Sequence, residues 1–260
     1  MRSTYVYVLT AAVIVPVLAT AQAPKAVHPD LSGIWAYAID LPPVALKKVV
    51  KGTVTVQKVN LGATVAQTPI RGALPSTPAP SYKPELQAKV KNLFDNESKT
   101  DQVFYCGKPG IPRIGPPRKI VQTAKEVIFF YEDISGDPYR IIPIDGRSHR
   151  ADADPTYYGD SVGHWEGDKL VVDVNKFVED TWFGENGYFH SDEMHVTERL
   201  WKDGQNLIYQ VTVDDPKVLT APWTEAPKIV KPSTEPLEES PRCVEADANR
   251  LVNSDHHGQR

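Results

Sequence analysis

Between residues 158 and 213 the chain gathers a set of side chains able to move protons. His164, His190 and His195 titrate near neutral pH and could give or take a proton there. Asp160, Asp173 and Glu198 could orient or supplement them, and Arg199 could hold a developing oxyanion. No H-E-x-x-H helix or Gly-rich phosphate cradle occurs, and Gly159-Asp-Ser-Val-Gly163, which spells G-x-S-x-G, lies in a hairpin arm rather than at the strand-to-helix turn of a nucleophile elbow. The chemistry open to such a set is therefore acid–base: elimination, hydration or isomerisation, with His164, His190, His195, Asp173, Glu198 and Arg199 as the candidate catalytic residues. His190, Asp192 and His195 are close enough in sequence to invite a metal ion, but their spacing fits no standard zinc motif. The His256-His257 pair near the C-terminus is a weaker candidate still. No metal and no cofactor are expected; a metal-assisted hydrolase and a non-catalytic carrier are the alternatives.

Trp182, Phe183, Tyr188 and Phe189 crowd one loop beside these groups. With Tyr158 and Tyr209, they are the candidate contacts to a small apolar or aromatic molecule. The alternative is a loop folded back onto the core as a lid.

Two consecutive hairpins must position these residues. Gly167-Asp168 and Asp203-Gly204 each separate alternating apolar runs, a strong hairpin signal because Gly and Asp tolerate positive φ. With Gly167-Asp168 as a two-residue turn, Trp165 faces Leu170, Gly163 faces Val172 and Ser161 faces Val174 on one apolar face. Asp160, Val162 and His164 share the other face with Asn175, Asp173 and Val171, a solvent face or the wall of a polar pocket. The same count in the second hairpin pairs Met194 with Val213, Val196 with Val211, Glu198 with Tyr209 and Leu200 with Leu207. Glu198 thus falls in an apolar row, where burial would raise its pKa toward neutrality. The competing reading is an ion pair with an arginine from elsewhere, such as Arg113, Arg118 or Arg199.

Further strands are expected at Asp30–Tyr37, Thr53–Val56, Lys119–Thr123, Val127–Glu132, Tyr139–Ile144, Lys228–Lys231 and near Cys243. One short helix is expected over Pro84–Phe94, with Pro at its start and Leu86, Val90, Leu93 and Phe94 at helical spacing. Short connections and so little helix argue an all-β antiparallel meander. Closure removes exposed edges, so the expectation is a lipocalin-like (calycin-like) β-barrel of roughly 8–10 strands, with a lumen for one small ligand.

A basic Arg2, a short apolar stretch and the small residues Ala19-Thr-Ala21 read as a signal peptide over 1–21. The protein is accordingly expected in the periplasm or secreted, with no membrane contact after cleavage. One domain is expected over 22–248, with a Pro-rich loop at 60–84 and a polar tail at 249–260. A net charge of -4 and a pI near 6.0 argue against a nucleic-acid partner. Export and an even count of two cysteines favour a Cys106–Cys243 disulfide over two free thiols.

Several segments together resemble a large family of uncharacterised exported bacterial proteins, abundant in soil bacteria. They are Asp30-Leu-Ser-Gly-Ile-Trp35, Cys106-Gly-Lys-Pro-Gly-Ile-Pro-Arg113, the run from Tyr158 to Val172, Thr181-Trp182, His190-Ser191, His195-Val-Thr-Glu-Arg199 and Asp214-Asp-Pro-Lys217. The resemblance implies export and one shared domain. The opening Gly33-Ile-Trp35 also resembles the entry strand of lipocalin-like barrels.

Overall fold

Alternation of apolar and polar residues dominates the folded chain, and the result is a curled antiparallel sheet. The computed structural model describes residues 28–36, 45–50, 53–58, 77–241 and 243. The expected leader, most of the Pro-rich loop and the tail lie outside them. The strands are β1 (Gly33–Ala36), β2 (Ala45–Val50), β3 (Thr53–Lys58), β4 (Lys119–Gln122), β5 (Glu126–Phe130) and β6 (Tyr139–Pro143), followed by β7 (Asp160–Glu166), β8 (Lys169–Asn175), β9 (His195–Asp203), β10 (Asn206–Asp214), β11 (Trp223–Thr224) and β12 (Lys228–Ser233). A 3-10 turn, Pro84–Leu86, leads into α1 (Gln87–Asp95), and a single turn, α2 (Glu97–Thr100), follows. Among the described residues no helix is long and apolar enough to cross a membrane.

Ten strands form one sheet in the order β6-β5-β4-β1-β12-β10-β9-β8-β7, with β11 pairing β10, while β2 and β3 make a separate hairpin. Two meanders, β4 to β6 and β7 to β10, are thus joined through β1 and β12. The all-β antiparallel expectation holds, but the expected closure into a barrel does not: the sheet is not closed. The end strands β6 and β7 share no backbone ladder, yet they lie side by side. Arg140 Nη2 of β6 donates to Ser161 Oγ of β7 at 2.8 Å. A Cβ built on Gly163 of β7 would stand 3.0 Å from Ile142 Cγ2 and 2.9 Å from Ile144 Cγ2. We call this unladdered junction the seam.

The first hairpin has the expected register, with Trp165 opposite Leu170 and Val162 opposite Asp173. The second is displaced by two: Val196 faces Val213, Glu198 faces Val211 and Leu200 faces Tyr209. Its turn is Gly204-Gln205 rather than Asp203-Gly204, because Asp203 pairs with Asn206. In both hairpins Gly occupies the first turn position with positive φ, +63° at Gly167 and +59° at Gly204, as a type II′ turn prefers. A shift of two keeps every side chain on its expected face.

The expected hollow lumen is also corrected. The inner face is filled by Leu170, Val172 and Val174 of β8, Val196 and Leu200 of β9, and Leu207, Tyr209, Val211 and Val213 of β10. Trp35, Ile120, Val127, Phe129, Ile142 and Val230 complete it. The disulfide between Cys106 and Cys243 is formed, with Cα atoms 5.6 Å apart. Cys243 is not in a strand; its N–H bonds to the Ile134 carbonyl. α1 lies on the aromatic loop, close enough that a Cβ on Gly187 would meet the Val90 carbonyl at 2.7 Å.

Candidate functional site

Pleating sends Asp160 of β7, Asp173 of β8 and His195 of β9 to the outer face, opposite the filled core. The loop 144–159, which connects the two seam strands, brings His149 over them. His149 Nε2 lies 2.6 Å from Asp173 Oδ1, and His195 Nε2 lies 2.8 Å from the same oxygen. The other ring nitrogen of His149, Nδ1, lies 2.9 Å from Asp160 Oδ2. As an imidazolium His149 donates to both carboxylates; as a neutral ring it keeps one N–H and presents one lone pair. Asp160 is fixed in turn by the Arg150 backbone N–H at 3.1 Å and by Arg150 Nε at 2.8 Å.

The electrostatics follow from these contacts. Partial burial works against ionising Asp173, but hydrogen bonds from His195 and His149 outweigh it and hold its pKa below the usual carboxylate value. Asp160 is held low in the same way, burial being overcome by His149 and Arg150. The hydrogen bond to Asp173 raises the pKa of His195; burial opposes it, and the charges of Asp173 and Asp214 add to it. The cluster is half-open to water: the side chains of His149, Asp173 and His195 are 21, 29 and 42 % exposed. One ligand atom from each of His149, Asp173 and His195 lies within 4.8 Å of the others, so the trio could hold a metal ion.

A cleft of about 330 Å³ opens beside the cluster, along the seam. Asp160 forms part of its wall, between the cleft and His149. Tyr139, Ile141 and Tyr158 give it apolar surface, while Ser148, Arg150 and Ser161 give it donors. Tyr139 and Ile141 are 63 and 49 % exposed, an uncovered apolar pair on the outer face of β6. Arg140 also lines the cleft, and its Nε and the Tyr158 hydroxyl are buried without a hydrogen-bond partner among the described residues.

The remaining candidates are dispersed. Glu198 is sealed in the core, 2.7 Å from Arg140 Nη2 and accepting from Tyr209 OH at 2.8 Å. Its partner is an arginine from elsewhere in the chain, though none of the three named as examples. Arg113 pairs with Asp101, Arg118 with Glu132, and Arg199 projects from the outer face. Burial works against the charge of Arg140, but the facing Glu198 carboxylate holds its pKa above that of an ordinary arginine. Burial likewise raises Tyr209. These contacts give Glu198 and Tyr209 a structural place inside the sheet, and neither lines the seam cleft.

His190 is buried. Its Nδ1 is 2.8 Å from the Ser191 carbonyl and its Nε2 2.7 Å from Thr181 Oγ1, and burial lowers its pKa. Asp192 points to Lys217, so the trio His190, Asp192 and His195 does not assemble. His164 is exposed beside Glu166. Of the aromatic loop, Trp182, Phe183 and Phe189 belong to the core, and Tyr188 packs against it. Sequence reasoning missed His149. It lies in a loop without periodicity, and its partners stand 11, 24 and 46 positions away in numbering. Only an assembled sheet brings them together.

Comparison with known proteins finds no matching family model, no matching curated protein and no matching solved structure.

Proposed function

We propose that this is an exported protein that binds a small apolar or aromatic molecule bearing an anionic group. The ligand would lie in the seam cleft, and the cluster His149–Asp173–His195 would be the reactive centre at its edge. The observation that carries this reading is the pair of histidines converging on one carboxylate oxygen, at 2.6 and 2.8 Å. Such an arrangement keeps a proton in play between bases held in fixed orientation. Tyr139 and Ile141 suit the ligand's apolar body. Arg150 engages Asp160 through Nε, leaving its Nη groups for a carboxylate. The reaction class is acid–base: elimination, hydration or isomerisation.

The test is native mass spectrometry of the protein from its exporting host, followed by incubation of any retained molecule with the protein. Retention that is lost in Arg150→Ala, with conversion lost in His195→Gln, is the expected result. Retention with no conversion would favour the carrier alternative. A retained molecule indifferent to both substitutions would overturn the reading.

A further inference from the structure

The outer-face cluster can be taken further than proton transfer. We propose that His149, Asp173 and His195 form a binding site for a divalent transition-metal ion of the zinc class, which would be the cofactor of the centre described above. The inference rests on that reading for where the chemistry occurs.

Three features of the cluster support it. The donor atoms come from three separate segments, a loop and two neighbouring strands, and all lie within 4.8 Å of one another. Two imidazole nitrogens and one carboxylate oxygen are the donor set preferred by zinc-class ions, whereas calcium and magnesium favour all-oxygen sites. The support behind the donors is also of the right kind. Histidine ligands commonly send their second ring nitrogen to a carboxylate, which fixes the ring and its tautomer. His149 does this through Asp160, at 2.9 Å, and Asp160 is itself held by two bonds from Arg150.

The site is also open. Three protein donors leave at least one coordination position, and the exposure of His195 and Asp173 puts that position in reach of water or a ligand. Closed structural zinc sites use four protein donors; sites that keep three are the ones that bind and polarise small molecules.

The test is calorimetric titration of tag-free, chelator-treated protein with Zn²⁺ alone, alongside Co²⁺ loading read by visible absorption. One equivalent should bind, and Co²⁺ should give the absorption of a low-coordinate nitrogen–oxygen site. Asp160→Asn, which keeps all three donors but alters the support behind His149, should weaken binding by about 10–100-fold. His195→Gln and Asp173→Asn should weaken it beyond that range, with the folded state checked by circular dichroism. His164→Gln and the double variant His256→Gln/His257→Gln should change nothing. Absence of one-equivalent binding would overturn the inference, as would binding that survives His195→Gln or follows the C-terminal histidines. A protein that binds no metal but still loses conversion in His195→Gln would sink the metal site and leave the acid–base reading standing.

Discussion

Removing Glu198 should destabilise the fold far more than removing an ordinary surface carboxylate. The Glu198 side chain is fully buried and that of Arg140 is 4 % exposed. In Glu198→Leu, the guanidinium keeps only Tyr131 OH at 3.1 Å and Ser161 Oγ at 2.8 Å. A buried charge stripped of its counter-ion costs about 3–5 kcal/mol. Arg140→Met should cost a similar amount, because Glu198 then keeps only the hydroxyl of Tyr209. The double variant carries no buried charge. It strands the hydroxyls of Tyr131 and Tyr209, at about 1–3 kcal/mol each. Its cost should therefore be about 2–6 kcal/mol, against about 6–10 for the two single effects added. Urea unfolding followed by tryptophan fluorescence measures all four proteins of the cycle. Single effects below about 1 kcal/mol, or a double effect equal to their sum, would refute the reasoning.

Other outcomes follow from the same structure. Reducing the disulfide, which joins residues 137 positions apart, should lower stability by up to about 5 kcal/mol, seen as a shift of the denaturant midpoint when reductant is added. Gly163→Ala drives a methyl into Ile142 and Ile144 across the seam and should cost about 1–3 kcal/mol; a neutral result would mean that β6 and β7 do not approach there. The pKa of His190 is lowered in the fold, so below 6.5 the unfolded chain binds the extra proton more readily. Its contribution is present above that value and is lost as pH falls through its folded pKa. Melting temperature between pH 7.5 and 5 should thus fall more steeply for the wild type than for His190→Gln, and parallel curves would contradict the assignment.

The local grammar of the fold was legible, and its long-range joins were not. The first hairpin reads correctly to the residue because Gly167 opens its turn. The second goes astray by two because Asp203-Gly204 offers two placements, and only the preference for Gly at the first position separates them. The strands at Lys119, Tyr139 and Lys228 and the helix after Pro84 follow from alternation and spacing. Nothing in the sequence indicates that β1 and β12 meet between the two meanders, or that β6 and β7 fail to pair. The site divides the same way. Counting places Asp173 off the apolar face and Glu198 among apolar residues. His149 and Arg140, which complete the two clusters, sit 24 and 58 positions from Asp173 and Glu198. A one-dimensional pattern holds no record of such neighbours.

A ring of staves laced along every edge can widen only by breaking many bonds at once. Here one joint is fastened by a guanidinium and a serine hydroxyl instead of a row of amides, so thermal breathing concentrates there. The main-chain N–H groups that β6 and β7 turn toward each other should exchange with deuterium sooner than those between β8 and β9. A molecule entering at that joint would spread the staves without unlacing the rest.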